Sequence, residues 1–150
     1  MSQPRIFGSP DELKPLIGQE VAASGWVAIT QEMIDKFADV SGDDQWIHVD
    51  VERARRESRY GGTVAHGFLT LSLLSHLSRQ AVDVRGAFRM RVNYGLNRVR
   101  FPAPVPAGSR VRAHMTPQSV GENEVVWLVT MELEASEKPA LVAEWITRFY

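Results

Sequence analysis

Residues 64–80 read VAHGFLTLSLLSHLSRQ, and this stretch decides the fold. It lacks Pro, and Leu, Phe and Val supply seven of its residues. Small hydroxyl side chains fill most of the gaps, and the first formal charge in the stretch is Arg79. A surface helix would carry one apolar stripe and one charged face. Apolar residues nearly all round instead predict a helix that is buried on most sides.

The same stretch is too polar to span a membrane. The uncharged run extends from Tyr60 to Ser78, but Gly, His and several hydroxyl residues interrupt it. A membrane-spanning helix needs about 20 predominantly apolar residues. We therefore expect a core helix around which the rest of the chain wraps, and no membrane as a partner.

Length and composition are those of a single globular domain, which we expect over residues 1–150. Of 150 residues, 44% are hydrophobic and 23% charged, and the net charge is −1. Nucleic acid is not an expected partner, because binding it needs a net basic face. The chain has no Cys, which excludes disulfides and thiolate chemistry. The N-terminal MSQPRIFGSPDELKP lacks the apolar run of a secretory signal, so we expect a cytoplasmic location.

Most of the predicted strands follow the buried helix. Strand character, with Val, Thr, Trp and alternating apolar residues, appears in segments 21–29, 87–101, 109–117, 124–135 and 140–149. A sheet of consecutive strands must bury its apolar face against another element. The helix in residues 64–80 is the one large apolar partner. We therefore predict an α+β fold, in which a curved antiparallel sheet wraps around one long buried helix.

Two shorter helices are predicted before the buried one. Thr30 is a good N-cap for the first, and Gly42 marks its end. Its apolar face contains Ile34, Phe37, Ala38 and Val40. Residues 50–56 read as a short, capped, solvent-facing helix, and a loop over residues 43–49 joins the two.

That loop holds the densest group of reactive side chains, within residues 41–48, SGDDQWIH. A carboxylate and an imidazole that share one water can take a proton from it and return a proton elsewhere. A loop can bring Asp43 and His48 into one small volume. Alternatively, Asp43 or Asp44 caps the next turn and His48 packs within the loop, and spacing alone leaves both interpretations open. Trp46 interrupts this polar loop, which suggests that it lines a pocket.

The second candidate is Ala65-His66-Gly67, where the buried helix begins. Helix N-termini offer unpaired N–H groups and a partial positive charge, and a Gly there lets a ligand oxygen approach the backbone closely. Such a site can hold a carbonyl oxygen that becomes negative during a reaction. The alternative is that Gly67 only allows another segment to cross close to the helix.

We expect no metal site. The four His residues show no HxH or HExxH spacing, and there is no Cys. The one conceivable arrangement would use Asp43, Asp44 and His48. His76 and His114 are expected to be partly exposed surface residues.

Two motifs taken together resemble a known family. The pattern SGDxxxIHxD in residues 41–50, followed by AHG in residues 65–67, is similar to the MaoC-like dehydratases, the (R)-specific enoyl-CoA hydratases of the hot dog fold. Residues 101–108, FPAPVPAG, resemble a strand-turn element of that family. GDxQWIH and residues 93–106, NYGLNRVRFPAPVP, resemble its nodulation protein N-like branch. The resemblance covers roughly residues 20–150.

The resemblance implies a hot dog fold and reversible addition of water to trans-2-enoyl thioesters, giving (R)-3-hydroxyacyl thioesters. Asp43 and His48 would bind the catalytic water, with Asp43 as general base and His48 helping to deliver a proton to the α carbon. The Gly67 N–H would hold the thioester oxygen, and Ser75 coincides with a substrate-binding hydroxyl position. The resemblance also implies an acyl-CoA or acyl carrier protein thioester as substrate, no cofactor, and a homodimer.

Two other functions stay open at this point. One is a hot dog thioesterase, in which a carboxylate activates water against the thioester carbonyl. The other is a non-catalytic acyl-thioester-binding module. Gln45-Trp46 stands where the family commonly has Asn-Pro, and this departure leaves the shape of the pocket and the binding module open.

Overall fold

The computed structural model describes residues 3–150. Its helices are α1 Gln31–Ser41, α2 Trp46–Val49, α3 Val51–Glu57, α4 Gly67–Ser72 and α5 Leu74–Ala81. Its strands are β1 Arg5–Phe7, β2 Ala22–Ala23, β3 Val27–Ala28, β4 Val82–Val84, β5 Arg91–Arg100, β6 Arg110–Val120, β7 Glu124–Leu133 and β8 Leu141–Phe149. A 3₁₀ helix, Pro10–Leu16, precedes β2.

The main sheet is antiparallel and has six strands within residues 3–150. The strand order is β2-β6-β7-β8-β5, and β3 also pairs with β6. The predicted run of antiparallel strands is confirmed, with one rearrangement: β5 pairs with β8, so the chain must cross from one edge of the sheet towards the other before β6. The Pro-rich connection between β5 and β6 makes this crossing. A separate parallel pair joins β1 to β4.

The predicted central helix is present but is divided at Leu73 into α4 and α5. The Leu73 N–H donates to the carbonyl of Thr70 at 3.2 Å, a tighter turn than in an α-helix. The Ser72 hydroxyl donates to the Leu69 carbonyl at 2.7 Å, and such back-bonding often bends a helix. The helix also begins later than expected, because the Ala65 N–H donates to the carbonyl of Val105 at 2.8 Å and holds residues 64–66 extended.

Helices α4 and α5 pack against one face of the main sheet. Alternate residues of β6, β7 and β8 are buried, as period-two strands require. Helix α5 contributes Leu74, Leu77 and Ala81 to the same core. Burying each large aliphatic side chain contributes about 1.5–3 kcal/mol. An exposed stripe, Phe68, Ser72, His76 and Arg79, runs along the other side of α4 and α5.

Strand β5 differs from the prediction. It begins at Arg91 rather than near residue 87, and most of its side chains are exposed instead of alternating in burial. The reason is its position at the edge of the sheet, where β8 is its one partner strand among residues 3–150. Val92, Tyr94 and Leu96 are among the exposed side chains.

The caps predicted before the central helix are confirmed. The Thr30 hydroxyl accepts a hydrogen bond from the Met33 N–H at 3.2 Å, and Gly42 ends α1 with φ of 76°. The Asp50 carboxylate caps α3 by accepting from the Arg53 N–H at 2.9 Å.

Two details of that region differ from the expectation. Val40 is 83% exposed and does not join the apolar face of α1. Residues 46–49 form α2 where a loop was predicted. No helix in residues 3–150 combines the length and apolar character needed to cross a membrane.

Candidate active site

His48 is buried in α2 and has a defined hydrogen bond. Its Nδ1 lies 2.7 Å from the carbonyl oxygen of Val64. Because a carbonyl can only accept, Nδ1 must carry the proton, which leaves Nε2 of the neutral ring as an acceptor. The side chain is 8% exposed. This hydrogen bond fixes the orientation of the His48 ring.

Gln31 holds the backbone at His48. Its Nε2 donates to the carbonyl of His48 at 2.8 Å, and also to the carboxylate of Asp35 at 2.9 Å. Its Oε1 accepts from the Thr63 hydroxyl at 2.5 Å. Gln31 thus joins α1, α2 and the segment before α4. Its role could not be predicted from the sequence, because a Gln at the first position of a helix carries no signal for one.

His66 packs directly on His48. The two rings stack with centroids 3.9 Å apart, and the Phe37 ring contacts His66 with centroids 5.0 Å apart. His66 Nε2 lies 2.8 Å from the carbonyl oxygen of Asp43 and donates to it. His66 therefore ties the N-terminus of α4 to the backbone of Asp43. The AHG motif contains this His beside the Gly that was predicted to hold a ligand oxygen.

Asp43 completes the cluster. One of its carboxylate oxygens and one ring nitrogen from each of His48 and His66 lie within 4.8 Å of one another. The Asp43 N–H donates to the Ser41 hydroxyl at 3.2 Å, so the turn after α1 orients the residue. Asp43 is exposed whereas both histidines are buried. The structure therefore brings together the Asp43–His48 pair that the sequence singled out, and Asp44 lies outside the cluster.

A cavity of about 350 Å³ opens beside this cluster. The buried residues His48 and Thr70 and the half-buried Gly67 line its inner part, and residues 102–105 form one wall. Arg59, Tyr60 and Phe101 line it as well and are exposed, so they mark its mouth. A concave cleft on which a few polar groups converge is the usual form of a small-molecule site.

Two polar atoms near this cavity have no hydrogen-bond partner within residues 3–150: His66 Nδ1 and the hydroxyl of Thr70. Both are buried. A buried polar atom left unpaired costs about 1–3 kcal/mol, and such atoms are rare in folded proteins. Thr70 lines the cavity, so its unpaired hydroxyl favours the binding of a polar molecule there.

Gly67 lets Phe101 approach α4. A Cβ atom built on Gly67 would lie 3.0 Å from the nearest atom of the Phe101 ring, closer than nearly all real contacts. The interpretation that Gly67 allows a close crossing is therefore supported. Gly67 also lines the cavity together with His48. The other predicted use of Gly67, in which its N–H holds a ligand oxygen, stays a prediction.

Ser75 lies elsewhere. It lines a separate cavity of about 240 Å³ between α5 and β5. Its hydroxyl accepts a hydrogen bond from the side-chain amide of Asn93 at 3.0 Å. The structure thus groups Ser75 with β5 rather than with His48 and Gly67.

Known proteins share the sequence pattern and the fold of this chain. A family model described as the MaoC like domain matches residues 12–138. The chain belongs to the MaoC-like family. The resemblance expected from the SGDxxxIHxD and AHG motifs is confirmed.

Relatives within the MaoC-like family cover nearly the whole chain. It is 49% identical to the protein named 3-hydroxyacyl-thioester dehydratase Z of Mycobacterium tuberculosis, over 97% of this chain and 98% of that one. It is 48% identical to Nodulation protein N of Rhizobium leguminosarum bv. viciae, over 87% and 84% of the two chains. The expected similarity to nodulation protein N is therefore confirmed too.

Solved structures confirm the hot dog fold. The R-hydratase PhaJ1 of Pseudomonas aeruginosa superposes with a TM-score of 0.73 at 22% identity, over 89% of this chain and 81% of that one. The (R)-hydratase of A. caviae gives 0.72 at 19% identity, over 89% and 96%. At this identity the likeness establishes the fold alone.

The departure of this MaoC-like chain at Gln45-Trp46 does not fill the cavity. Trp46 was expected to line a pocket, but its ring lies under the guanidinium of Arg53, 4.3 Å from ring centroid to Cζ, and it is not among the residues that line the cavity beside His48. A Trp–Arg stack of this kind is favourable at an exposed site. The bulk of Trp46 is thus accommodated against α3.

The residues of this MaoC-like chain that could hold a metal are Asp43, His48 and His66. Zn²⁺ binds His nitrogen at about 2.0–2.1 Å, so two ligand atoms can be at most about 4 Å apart. A spread of up to 4.8 Å would have to contract before all three could bind one ion. The expectation of no metal stays a prediction.

A second polar cluster lies on the outer face of the sheet. His114 Nδ1 is 2.9 Å from the Glu20 carboxylate, and its Nε2 is 2.7 Å from that of Glu132. Partial burial lowers the pKa of His114, but its hydrogen bonds to the two carboxylates outweigh burial, so the pKa is raised overall. Hydrogen bonds from Arg112 and His114 lower the pKa of Glu132. None of these residues lines the cavity beside His48.

Proposed function

We propose that this MaoC-like protein is an (R)-specific enoyl-CoA hydratase and 3-hydroxyacyl-CoA dehydratase, a hydro-lyase that adds water reversibly to trans-2-enoyl thioesters. The observation that carries the proposal is the convergence of Asp43 and His48 beside a cavity that also contains Gly67. The names of the relatives, a 3-hydroxyacyl-thioester dehydratase among them, support the same class of reaction.

In this mechanism the water lies between the Asp43 carboxylate and His48 Nε2. Asp43 accepts a proton from the water, and the oxygen bonds to the β carbon as the double bond opens. The proton taken up by Asp43 then passes through His48 Nε2 to the α carbon, which restores the Asp43 carboxylate, so no net proton is gained or lost. Positioned acid–base groups of this kind typically accelerate a reaction by about 10²–10⁴-fold. The reverse sequence removes water from the 3-hydroxyacyl thioester.

The thioester oxygen becomes negative as the α carbon accepts electrons. Gly67 begins α4, and the first N–H groups of a helix have no partner within it. The proposal places the thioester oxygen on the Gly67 N–H, where a preorganised donor stabilises the developing charge. The reaction needs no cofactor, because the thioester itself acidifies the α carbon. Substrate binding by Ser75 stays a prediction, since its hydroxyl is bonded to Asn93 in another cavity.

We further propose a homodimer, joined through β5 of each subunit. This strand is an edge of the sheet and exposes Val92, Tyr94 and Leu96. Free edges of this kind pair readily with another chain unless they are covered. A cytoplasmic location stays a prediction from composition.

The test follows the conjugated enoyl absorbance of crotonyl-CoA with wild type and Asp43→Asn, beside a free-thiol assay. We expect loss of absorbance with wild type alone and no free thiol. Release of thiol would instead identify a thioesterase. No hydration of crotonyl-CoA or longer enoyl-CoA by folded protein would contradict the proposal and favour a binding module.

A further inference from the structure

The arginines of the α3 region differ in what they contact. Arg53 pairs with Glu57 at 3.0 Å, and Arg55 pairs with Glu52 at 3.4 Å. Arg56 and Arg59 form no ion pair with any residue in the range 3–150. Of these four, Arg59 alone lines the cavity beside His48.

The position of Arg59 is defined by a turn. The Tyr60 N–H donates to the Ser58 hydroxyl, and the Gly61 N–H donates to the Ser58 carbonyl, both at 3.1 Å. Gly61 has φ of 76°, a conformation that favours glycine. The guanidinium of Arg59 lies 5.2 Å from the centroid of the Tyr60 ring, which holds it at the mouth of the cavity.

The mouth of the cavity carries the positive charge of Arg59 without a carboxylate beside it. No Asp or Glu is among the residues that line this cavity, so Arg59 has no carboxylate to neutralise it there. Two arginines of β5 contact other groups: Arg98 lies 3.9 Å from Glu144, and Arg100 donates to the carbonyl of Val99. Neither lines the cavity. An unpaired guanidinium at an opening suits an anion, and it matches phosphate oxygens in a bidentate geometry.

We propose that Arg59 binds the phosphate at the far end of the pantetheine arm of the substrate. The inference rests on the proposed function, in which the acyl end of the thioester reaches His48. The arm must then leave through the mouth, between Arg59, Tyr60 and Phe101. Coenzyme A and acyl carrier protein both attach a phosphate to this arm, so the shared group that Arg59 recognises is a phosphate ester of pantetheine.

The test compares three thioesters of one acyl group. Crotonyl-CoA and crotonyl-phosphopantetheine carry the phosphate, and crotonyl-N-acetylcysteamine does not. We expect Arg59→Gln to lower kcat/KM about tenfold for the first two, mainly through KM, and to leave the third unchanged. Arg59→Lys should recover part of the loss, because it keeps the charge but not the fork. Arg56→Gln is the matched control, since Arg56 is unpaired in the same region but does not line the cavity.

The outcomes separate the two proposals. An equal effect of Arg59→Gln on all three thioesters, or none on the two phosphorylated ones, would overturn the role of Arg59. An effect on crotonyl-CoA alone would also overturn it, because the nucleotide phosphates would then be the group recognised. Calorimetric binding of free phosphopantetheine provides a measurement that needs no turnover. If wild type hydrates none of the thioesters, the proposed function fails, and weaker binding by Arg59→Gln, with Arg56→Gln unaffected, still decides the role of Arg59.

Discussion

The rings of His48 and His66 stack with centroids 3.9 Å apart and planes inclined by 22°. One nitrogen of each ring hydrogen-bonds to a backbone carbonyl: His48 Nδ1 to that of Val64, and His66 Nε2 to that of Asp43. The stack therefore joins α2 to the start of α4 and, through the hydrogen bond of His66, to the backbone of Asp43.

His66 should act as a positioning residue. We expect His66→Ala to lower kcat about 10–100-fold with little change in KM, because the Asp43 backbone loses its donor and His48 loses its stacking partner. His66→Gln should recover part of the rate, since its amide can still donate to the Asp43 carbonyl. The measurement is steady-state hydration of crotonyl-CoA, with His76→Gln as the control on the exposed stripe. A parallel fall in thermal stability without a change in kcat would assign His66 a structural role instead.

Asp43 and His48 should differ in their effect on stability. Asp43 is exposed, so Asp43→Asn should remove turnover and leave the free energy of unfolding nearly unchanged. His48→Ala should also remove turnover, but it vacates a buried site and leaves the Val64 carbonyl unpaired, at a cost of about 1–3 kcal/mol. Urea unfolding followed by Trp fluorescence measures both. Near-wild-type rates for either folded variant would contradict the assigned site.

Gly67 has two proposed uses that can be separated. Gly67→Ala should lower activity at least tenfold, because the added methyl meets the Phe101 ring at 3.0 Å and narrows the cavity. In the double variant Gly67→Ala with Phe101→Leu, the crowding is relieved. Recovery of kcat in the double variant would indicate that steric relief suffices. Persistent loss would indicate that the substrate itself approaches the Gly67 backbone.

The outer cluster predicts a dependence of stability on pH. The pKa of His114 is raised, so its contribution is full below its unfolded pKa of about 6.5 and is lost as pH rises through the folded value. The pKa of Glu132 is lowered, so its contribution is present above about 4.5 and is lost on acidification. The stabilisation is therefore largest between about pH 4.5 and 6.5.

His114→Gln tests this dependence. It should reduce the stability at pH 6 by no more than about 1 kcal/mol, since the cluster is partly solvated, and have less effect at pH 9. Unfolding by urea at the two pH values measures the difference, and hydration activity should be unchanged because no residue of the cluster lines the cavity beside His48. An equal loss of stability at both pH values would show that the charge on His114 is not the cause.

The proposed dimer can be tested on the exposed face of β5. Leu96→Asp places a charge on a strand that the proposal puts at the subunit interface, whereas Phe68→Asp changes an exposed apolar residue on α4. Sedimentation should give a dimer for wild type and Phe68→Asp and a monomer for Leu96→Asp. Wild type sedimenting as a monomer at micromolar concentration would rule the interface out.

The helix caps and the Asp43–His48 pair could be predicted from local sequence rules. Contacts between residues that are distant in sequence could not. Thr30, Gly42 and Asp50 follow from the chemistry of helix ends, which acts within a few residues. The convergence of Asp43 and His48 needed only one short turn. The late start of α4 depends on the hydrogen bond from Ala65 to Val105, some forty residues away. The direction of Trp46 and the exposure of β5 likewise depend on partners that are distant in sequence.

The Phe101 ring occupies the space beside Gly67 that a side chain on the helix would otherwise fill. One wall of the cavity therefore comes from residues 101–105, whereas the proposed proton-transferring groups belong to α2 and to the turn after α1. Under the proposed function, the wall that guides the substrate and the groups that react with it lie on separate parts of the chain. A substitution at Phe101 can then change how the substrate enters without disturbing Asp43 and His48.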